Sequence, residues 1–376
     1  MVPVLAIIGA LVSASPAAQG QAADRPAVEW VVPALSTNRP QTPEEAEEGR
    51  KSGRKLPPPE VLQPTLDPAL PSYIPRRQKL TGTFKGAASD VLTVLVQKWF
   101  EKFRTYHPEV NLSVSPPYAG SLGATELVNE RLDFVFVSRE LRPDDVRDFK
   151  VKFGYEPLSV PVCGGSYRHF GALDAVAFFV NKDNPIEKLT FEQIDAIYST
   201  TRHRGAKPIR SWGDLGLGGE WANRPIHAYG IKPWNGFEEF VRQRVLSNEG
   251  RRGEWREDIV LEKLVFPMAK RVADDRYGIA YSGIAYLDQG VRVLPLVANP
   301  GDVPQAPTYE SVALATYPLS RLIYFNVNKA PGKPLPLALD EFLRFILGRE
   351  GQQVVLDHAS YLPLRAMQVQ SSRARF

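Results

Sequence analysis

The chain is expected to fold as an α/β protein of two lobes, and three observations lead there. Its 376 residues are enough for two domains of ordinary size, each with its own core. From Lys79 onward short runs of β-type residues alternate with amphipathic helical patterns, which is how α/β architecture reads in a sequence. One strand phrase, Val176-Ala-Phe-Phe-Val-Asn-Lys182, returns near the C-terminus as Leu322-Ile-Tyr-Phe-Asn-Val-Asn-Lys329, as suits the core and crossover region of a two-lobed molecule.

The elements follow in order. Residues 1–23 begin with an apolar stretch of the length of a secretory h-region. Small residues from Ser13 to Ala23 then offer A-x-A-like cleavage points, although no basic residues precede the stretch. Residues 24–78 are rich in Pro, Glu and Gln, include Pro57-Pro58-Pro59 and lack an apolar period; they read as an extended arm or linker, with Trp30 to Val32 or Tyr73 and Ile74 able to touch the globular part. Leu80 to Phe84 is a candidate strand. Leu92, Leu95, Val96, Trp99, Phe100 and Phe103 repeat at helical spacing and predict an amphipathic helix. Val110 to Val114 predicts a strand, Ala124 to Leu132 a helix and Asp133 to Val137 a buried strand. Thr190-x-x-Gln193 is a capping box opening the helix that carries Ile194 and Ile197. Leu339 to Leu347 predicts a last long amphipathic helix.

Composition narrows the partners. Net charge is +4, with basic residues scattered rather than striped, so nucleic acid is not the expected partner, while attraction of anions is compatible. Cys163 is the only cysteine, which rules out an intramolecular disulfide and fits a buried structural thiol. The five histidines show no metal-ligand spacing, and there is no His-Glu-x-x-His, Gly-x-Ser-x-Gly or Walker loop, so no catalytic, metal or cofactor residue is expected and the chain is read as a binding protein without enzymatic activity.

Two loops could hold an anion. Lys85-Gly-Ala-Ala88-Ser89-Asp90 places Ser89 or Asp90 at the N-cap of the first helix, where backbone N–H groups would face outward. Tyr118-Ala-Gly120-Ser121-Leu-Gly123 joins the second strand to the second helix in the same way. In an open α/β sheet both would lie at the C-terminal ends of neighbouring strands, where ligands bind. Ser138-Arg139 closes a third strand. Arg139 is either a forked donor to an oxyanion or the partner of Glu140, Asp144 or Asp145 in a salt bridge.

Leu80-Thr-Gly-Thr-Phe84, the Gly-Ala-Ala-Ser loop, the helix with Trp99, Gly120-Ser-Leu-Gly123 and Leu132-Asp-Phe through Ser138-Arg139 follow in an order that resembles the phosphate-binding proteins of ABC importers. So do Phe179-Val-Asn-Lys-Asp-Asn-Pro185, Leu189 through Tyr198, Trp212-Gly-Asp, Tyr277-Gly-Ile-Ala-Tyr281 and Tyr317-Pro-Leu-Ser-Arg321, and the likeness spans residues 79 to 366. The resemblance implies a type II periplasmic-binding-protein fold, with lobe 1 formed by residues 79–178 and 290–370 and lobe 2 by residues 179–289. It implies a monomer in the periplasm that holds phosphate or a related small anion between its lobes for the membrane subunits of an ABC importer. Ser89 and Ser121 would match the family's loop hydroxyls, with Ala88 and Gly120 beside them, and Ser138 and Arg139 fall where the family has Ser followed by Asp or Arg.

Lobe 2 departs from the pattern. Where the family has an Arg and then Ser-Gly-Thr at a helix start, this chain has Lys232-Pro-Trp-Asn235-Gly236-Phe237-Glu238-Glu239. The glycine remains; the arginine and both hydroxyls do not. Asn235 and Gly236 stay candidates for ligand contact, with an Asn235-x-x-Glu238 box as the structural reading. Two carboxylates in that first turn would oppose an anion if they faced the cleft. The other reading keeps the fold as a sensor or protein-interaction module that has lost the phosphate site.

Overall fold

The computed structural model describes residues 36–38, 62–114, 120–169, 172–233, 235–265, 267–287 and 290–376. The expected leader and most of the expected arm lie outside them. What is described of the arm is a two-stranded ribbon, β1 (Ser36–Asn38) antiparallel to β2 (Leu62–Pro64), followed by a segment that runs over lobe 1. Asp67 accepts from the amides of Ala69 and Ala366 and faces the buried Arg365, Leu70 and Tyr73 are buried, and Ile74 is exposed. The arm is anchored by Tyr73, whose hydroxyl donates to Glu341 at 2.8 Å and lies 2.6 Å from the His107 ring.

Lobe 1 is a five-stranded sheet. Its strands are β3 (Gly82–Ala88), β4 (Val110–Val114), β5 (Phe134–Val137), β6 (Leu158–Gly164) and, far along the chain, Leu322–Val327; their spatial order is β4-β3-β5-(322–327)-β6. β3 is parallel to β4 and β5, whereas the 322–327 strand runs antiparallel to β5 and β6. Helices α1 (Thr93–Arg104), α2 (Gly120–Val128) and α3 (Pro143–Phe153) connect the first strands. The apolar stripe of α1 is buried as its period requires, with Trp99 stacked on Phe136 and its indole N–H on the Gly351 carbonyl.

Two elements have moved boundaries. The first strand begins at Gly82 and runs on through Ala88, so the stretch expected as a loop from Lys85 is mostly strand. Gly-Ala-Ala has weak β propensity, but it sits in the sheet interior, where burial between two parallel neighbours outweighs propensity. Gly86 is required there, because a Cβ would lie 2.1 Å from the Phe134 ring. α2 starts at Gly120, four residues before the expected Ala124.

Lobe 2 holds β7 (Val176–Asn181), β8 (Leu189–Thr190), α4 (Phe191–Tyr198), β9 (His227–Ile231), α5 (Gly236–Val241), β10 (Val260–Glu262), α6 (Met268–Asp274), β11 (Gly278–Gly283), β12 (Val291–Val293), β13 (Leu296–Val297) and α7 (Tyr309–Ala313). Its main sheet has the order β10-β9-β11-β7-β12. The capping box opening α4 is formed, with Gln193 N–H on Thr190 Oγ1 and Thr190 N–H on Gln193 Oε1. Sheet and core membership put β7, β12, β13 and α7 here, so lobe 2 runs from about residue 176 to 319 rather than over the expected 179–289. Residues 290–319 carry Leu294, Leu296, Tyr309, Val312 and Leu319 into this core, which their short, weakly periodic strands do not reveal.

The chain then returns to lobe 1 as β14 (Leu322–Val327), α8 (Leu337–Ile346), α9 (Arg349–His358) and α10 (Ala366–Arg373). The crossovers are tied by backbone bonds: Gly165 N–H to Arg321 O, Ser166 N–H to Leu173 O and Val176 N–H to Leu319 O. Cys163 is buried beside them and its thiol is pushed up by burial, the inert state expected from the sequence. No helix among the described residues is long and apolar enough to cross a membrane.

Candidate functional site

The sheet of lobe 1 gathers the expected site residues along one edge. β3, β4 and β5 are parallel, so Ser89, the start of α2 and Ser138-Arg139 all leave the same side. Because β14 is antiparallel, that edge also receives its beginning, Ser320-Arg321; the register Tyr324 to Val137 and Leu322 to Gly164 fixes this.

At Ser89 the physical basis differs from the expected one. Its backbone N–H is spent on Phe136 O, the Val91 N–H on Asp90 Oδ1 and the Leu92 N–H on Ser89 O, so this turn offers no row of free amides. The chain leaves the strand through a tight 3₁₀ turn, Asp90–Leu92, which closes these bonds itself. The Ser89 hydroxyl, in contrast, makes no capping bond and has no hydrogen-bond partner among the described residues, although the residue is buried. Ala88 contributes its side chain to the core of lobe 1, which removes it from the set of ligand-facing side chains. Gly120 begins α2. The side chain of Ser121 and residues 115–119 lie outside the described residues.

Ser138 is half-buried, and its hydroxyl has no partner among the described residues. Arg139 is buried and forms no ion pair among them: Asp145 is held by Arg142 at 3.0 Å and Asp144 by Arg147 at 2.8 Å. One Arg139 nitrogen, Nη1, donates to the Glu140 carbonyl and to Gln243 Oε1 of lobe 2, which leaves Nη2 and Nε without a partner among the described residues. Burial pulls its pKa down, and the fields of Glu239 and Asp145 oppose that.

The lobes meet here. Gln243 also donates to the Leu141 carbonyl, and Arg244 reaches Glu140 at 2.8 Å while the Tyr324 hydroxyl donates to the same oxygen. Arg321, buried in the crossover, donates from Nη2 to the Ser138 carbonyl at 3.2 Å and lies over the rings of Phe240 and Phe237, 4.9 and 5.6 Å from their centroids. Its Nε is sealed from solvent and has no hydrogen-bond partner among the described residues. Burial and the neighbouring charge of Arg139 bring its pKa down to about 10.

In lobe 2, Asn235 acts as a cap: Oδ1 accepts from Phe237 N–H, and Gly236 opens α5. The expected reciprocal bond from Glu238 is absent. Glu238 is fully buried in lobe 2, where it accepts from Arg242 Nε and from the indole N–H of Trp255. A carboxylate with a buried cation and an indole donor at hand does not turn back to a solvated amide. Glu239 is gripped by both arms of Arg252. Burial alone would raise its pKa, but the fork from Arg252, together with Arg139 and Arg142, takes it below the usual carboxylate range. Neither carboxylate therefore stands free at the helix start. Lys232 is exposed.

Arg321 was not among the residues expected at this edge: those lie at the ends of parallel strands, whereas Arg321 precedes an antiparallel one, and the Tyr317-to-Arg321 phrase was the available signal. Among the described residues no group of His, Cys, Asp and Glu side chains is placed to hold a metal ion.

Two α/β lobes joined by hydrogen-bonded crossovers, with hydroxyl and guanidinium groups at their seam, have the build of a solute-binding protein. A family model described as PBP superfamily domain matches residues 75–350. The chain is 35% identical over 303 residues to the phosphate-binding protein PstS of Pseudomonas aeruginosa, a match covering 80% of this chain and 88% of that protein. It is 24% identical over 278 residues to the phosphate-binding protein PstS of Staphylococcus epidermidis, covering 73% and 77%. The chain belongs to the PstS-like phosphate-binding protein family, with the type II fold. Two solved structures share the fold: PstS from Borrelia burgdorferi, TM-score 0.52 at 14% identity over 75% of this chain and 99% of that one, and a possible phosphate binding protein from Planctomyces limnophilus, TM-score 0.50 at 20% identity over 79% and 98%.

Proposed function

We propose that the protein captures phosphate, or a closely related small oxyanion, between its lobes and delivers it to the membrane subunits of an ABC importer. The single observation that carries this is the set of unused donors at the seam: the hydroxyls of Ser89 and Ser138 and two nitrogens of Arg139, none with a partner among the described residues. Buried polar groups are rarely left without partners, so a cluster of them calls for a ligand. Ser121 would add a fourth residue to the set from the start of α2, and Gly236 would let lobe 2 approach closely. Asn235 acts through its cap. Binding would then be pure recognition: the two lobes close, the anion replaces its water shell with fixed donors, and the closed shape is what the importer reads. No catalytic step is assigned. Export by the N-terminal segment, a periplasmic site of action and a monomeric state complete the reading.

A specific observation favours a second reading. The start of α5 offers no hydroxyl and no arginine, and its first-turn carboxylates are engaged within lobe 2. An interaction or sensor module of the same fold would tolerate that loss. Thermal unfolding with phosphate, sulfate and organic phosphates separates the two. A ligand at a hundred times its dissociation constant adds about 2.7 kcal/mol of stability. A phosphate-dependent rise in Tm supports capture; no rise with any oxyanion points to the module.

A further inference from the structure

Lobe 2 lacks the cation that the sequence pattern of this fold leads one to expect at α5, yet the seam is not short of positive charge. Arg321 supplies it from a third place, the crossover. Its backbone carbonyl is fixed by Gly165 N–H, and its side chain touches both lobes at once: the Ser138 carbonyl on one side, the faces of Phe237 and Phe240 on the other. Phe237 stands where a hydroxyl would be, and it makes a seat for this guanidinium. The ring is itself confined, since a Cβ on Gly283 would lie 2.9 Å from it, and Tyr286 packs edge-on against it.

No carboxylate within salt-bridge distance neutralises either Arg139 or Arg321 among the described residues. Glu140 is taken by Arg244 and Tyr324, and Glu239 by Arg252. Arg321 bonds to the residue preceding Arg139, and the two buried guanidiniums are near enough for the charge of Arg139 to act against that of Arg321, whose Nε–H is orphaned among the described residues. Uncompensated buried charge of this kind is costly unless a counter-ion joins it.

We propose that Arg321 is an anion-binding residue, that it works as a pair with Arg139, and that this pair selects a doubly charged tetrahedral oxyanion. The inference deepens the phosphate-capture reading and rests on it. Because Arg321 is carried by the crossover and stacked on α5, the anion it holds also ties lobe 2 to the edge of lobe 1, replacing the direct donors that α5 lacks.

The experiment is isothermal titration of the full chain with inorganic phosphate, sulfate and nitrate, for the wild type, Arg321→Gln and Arg321→Lys, with Tm recorded for each with and without phosphate. The wild type is expected to bind phosphate and sulfate and to discriminate against the monoanion nitrate. Arg321→Gln should weaken phosphate by about tenfold to a hundredfold, the size of a charge-assisted bond, and should shrink the phosphate-induced rise in Tm. Arg321→Lys keeps the charge without the fork, folds more readily, and should lose about tenfold. If either variant folds with a lower Tm but retains wild-type affinity for phosphate, Arg321 is a structural latch and the proposal is overturned. If the wild type binds nitrate as well as phosphate, the dianion assignment fails while phosphate capture stands. If the wild type binds no oxyanion, the capture reading itself fails, and this inference with it.

Discussion

At Ser89 the hydroxyl is relieved of the duty that a serine before a helix usually has. The 3₁₀ turn satisfies its own amides, and no capping bond is made. Removing the hydroxyl should therefore cost little stability and mainly binding. Ser89→Ala is expected to leave Tm unchanged without ligand and to weaken phosphate by about fivefold, one neutral hydrogen bond; calorimetric titration beside a melting curve reads both numbers. Glu238 is the opposite case. It looked like an obstacle to an anion, but it points into lobe 2 and neutralises Arg242, whose one other acidic partner among the described residues is the more distant Glu254. Glu238→Ala should cost about 3 kcal/mol of stability by stranding a buried cation. Urea denaturation measures that loss, and a variant as stable as the wild type would show that the pair contributes nothing.

Among the elements, the arm over lobe 1 is held by a buried polar cluster. Tyr73 closes a buried triad with His107 and Glu341, and Arg76 adds a second bond to Glu341. Tyr73→Phe should cost about 1–2 kcal/mol, because it takes a donor from buried Glu341 and leaves the His107 ring nitrogen without its partner, and limited proteolysis should then cut the arm before the lobes. His107 is held below its ordinary pKa, chiefly by burial and against the field of Glu341. The folded state thus binds fewer protons than the unfolded one just below about pH 6.5, so this group's contribution is lost as pH falls through that range. At the crossover the sign reverses. Burial pushes Asp174 up to about 7, against the bonds from the amides of Ala285, Arg168 and His169. Its unfolded pKa is about 3.9, so its contribution is complete below that value and fades as pH rises toward 7. Stability measured for Asp174→Asn and the wild type should therefore diverge in the variant's favour between those limits; a constant difference would mean that the carboxyl is ionised throughout.

At the scale of the whole molecule the lobes meet in polar contacts around Gln243, Arg244 and Glu140, in the Arg321 stack, and where Leu362 and Gln368 of lobe 1 reach lobe 2. Such a seam is strong enough to define a closed form and weak enough to open, as capture and release require. Gln243→Ala removes two of its bonds without touching the proposed donors of Ser89 or Ser138. The apparent affinity for phosphate should fall by about fivefold, because the competent closed form becomes rarer, and the change should lie in a faster dissociation rate under stopped flow. An unchanged rate would place closure elsewhere.

The periodic elements were legible in the chain because their signals are local. The stripe from Leu92 to Phe103, the box at Thr190 and Gln193 and the buried strands at Val176 and Leu322 depend on spacings of a few residues, and the order of short phrases was enough to indicate family and fold. Other features depended on neighbours distant in sequence. Gly86 to Ala88 became strand because β4 and β5 enclose it, and the Ala88 side chain thereby went to the core. Glu238 turned inward because Arg242 and Trp255 wait there, and residues 290–319 joined lobe 2 because its sheet and core accept them. Arg321 reached the seam because β14 runs against its neighbours, a direction that no local pattern encodes. Backbone propensity and side-chain period are properties of a segment and can be read from it. The pairing of charges, the fate of donors and the side of a sheet from which a residue leaves are settled only when remote segments exclude water together.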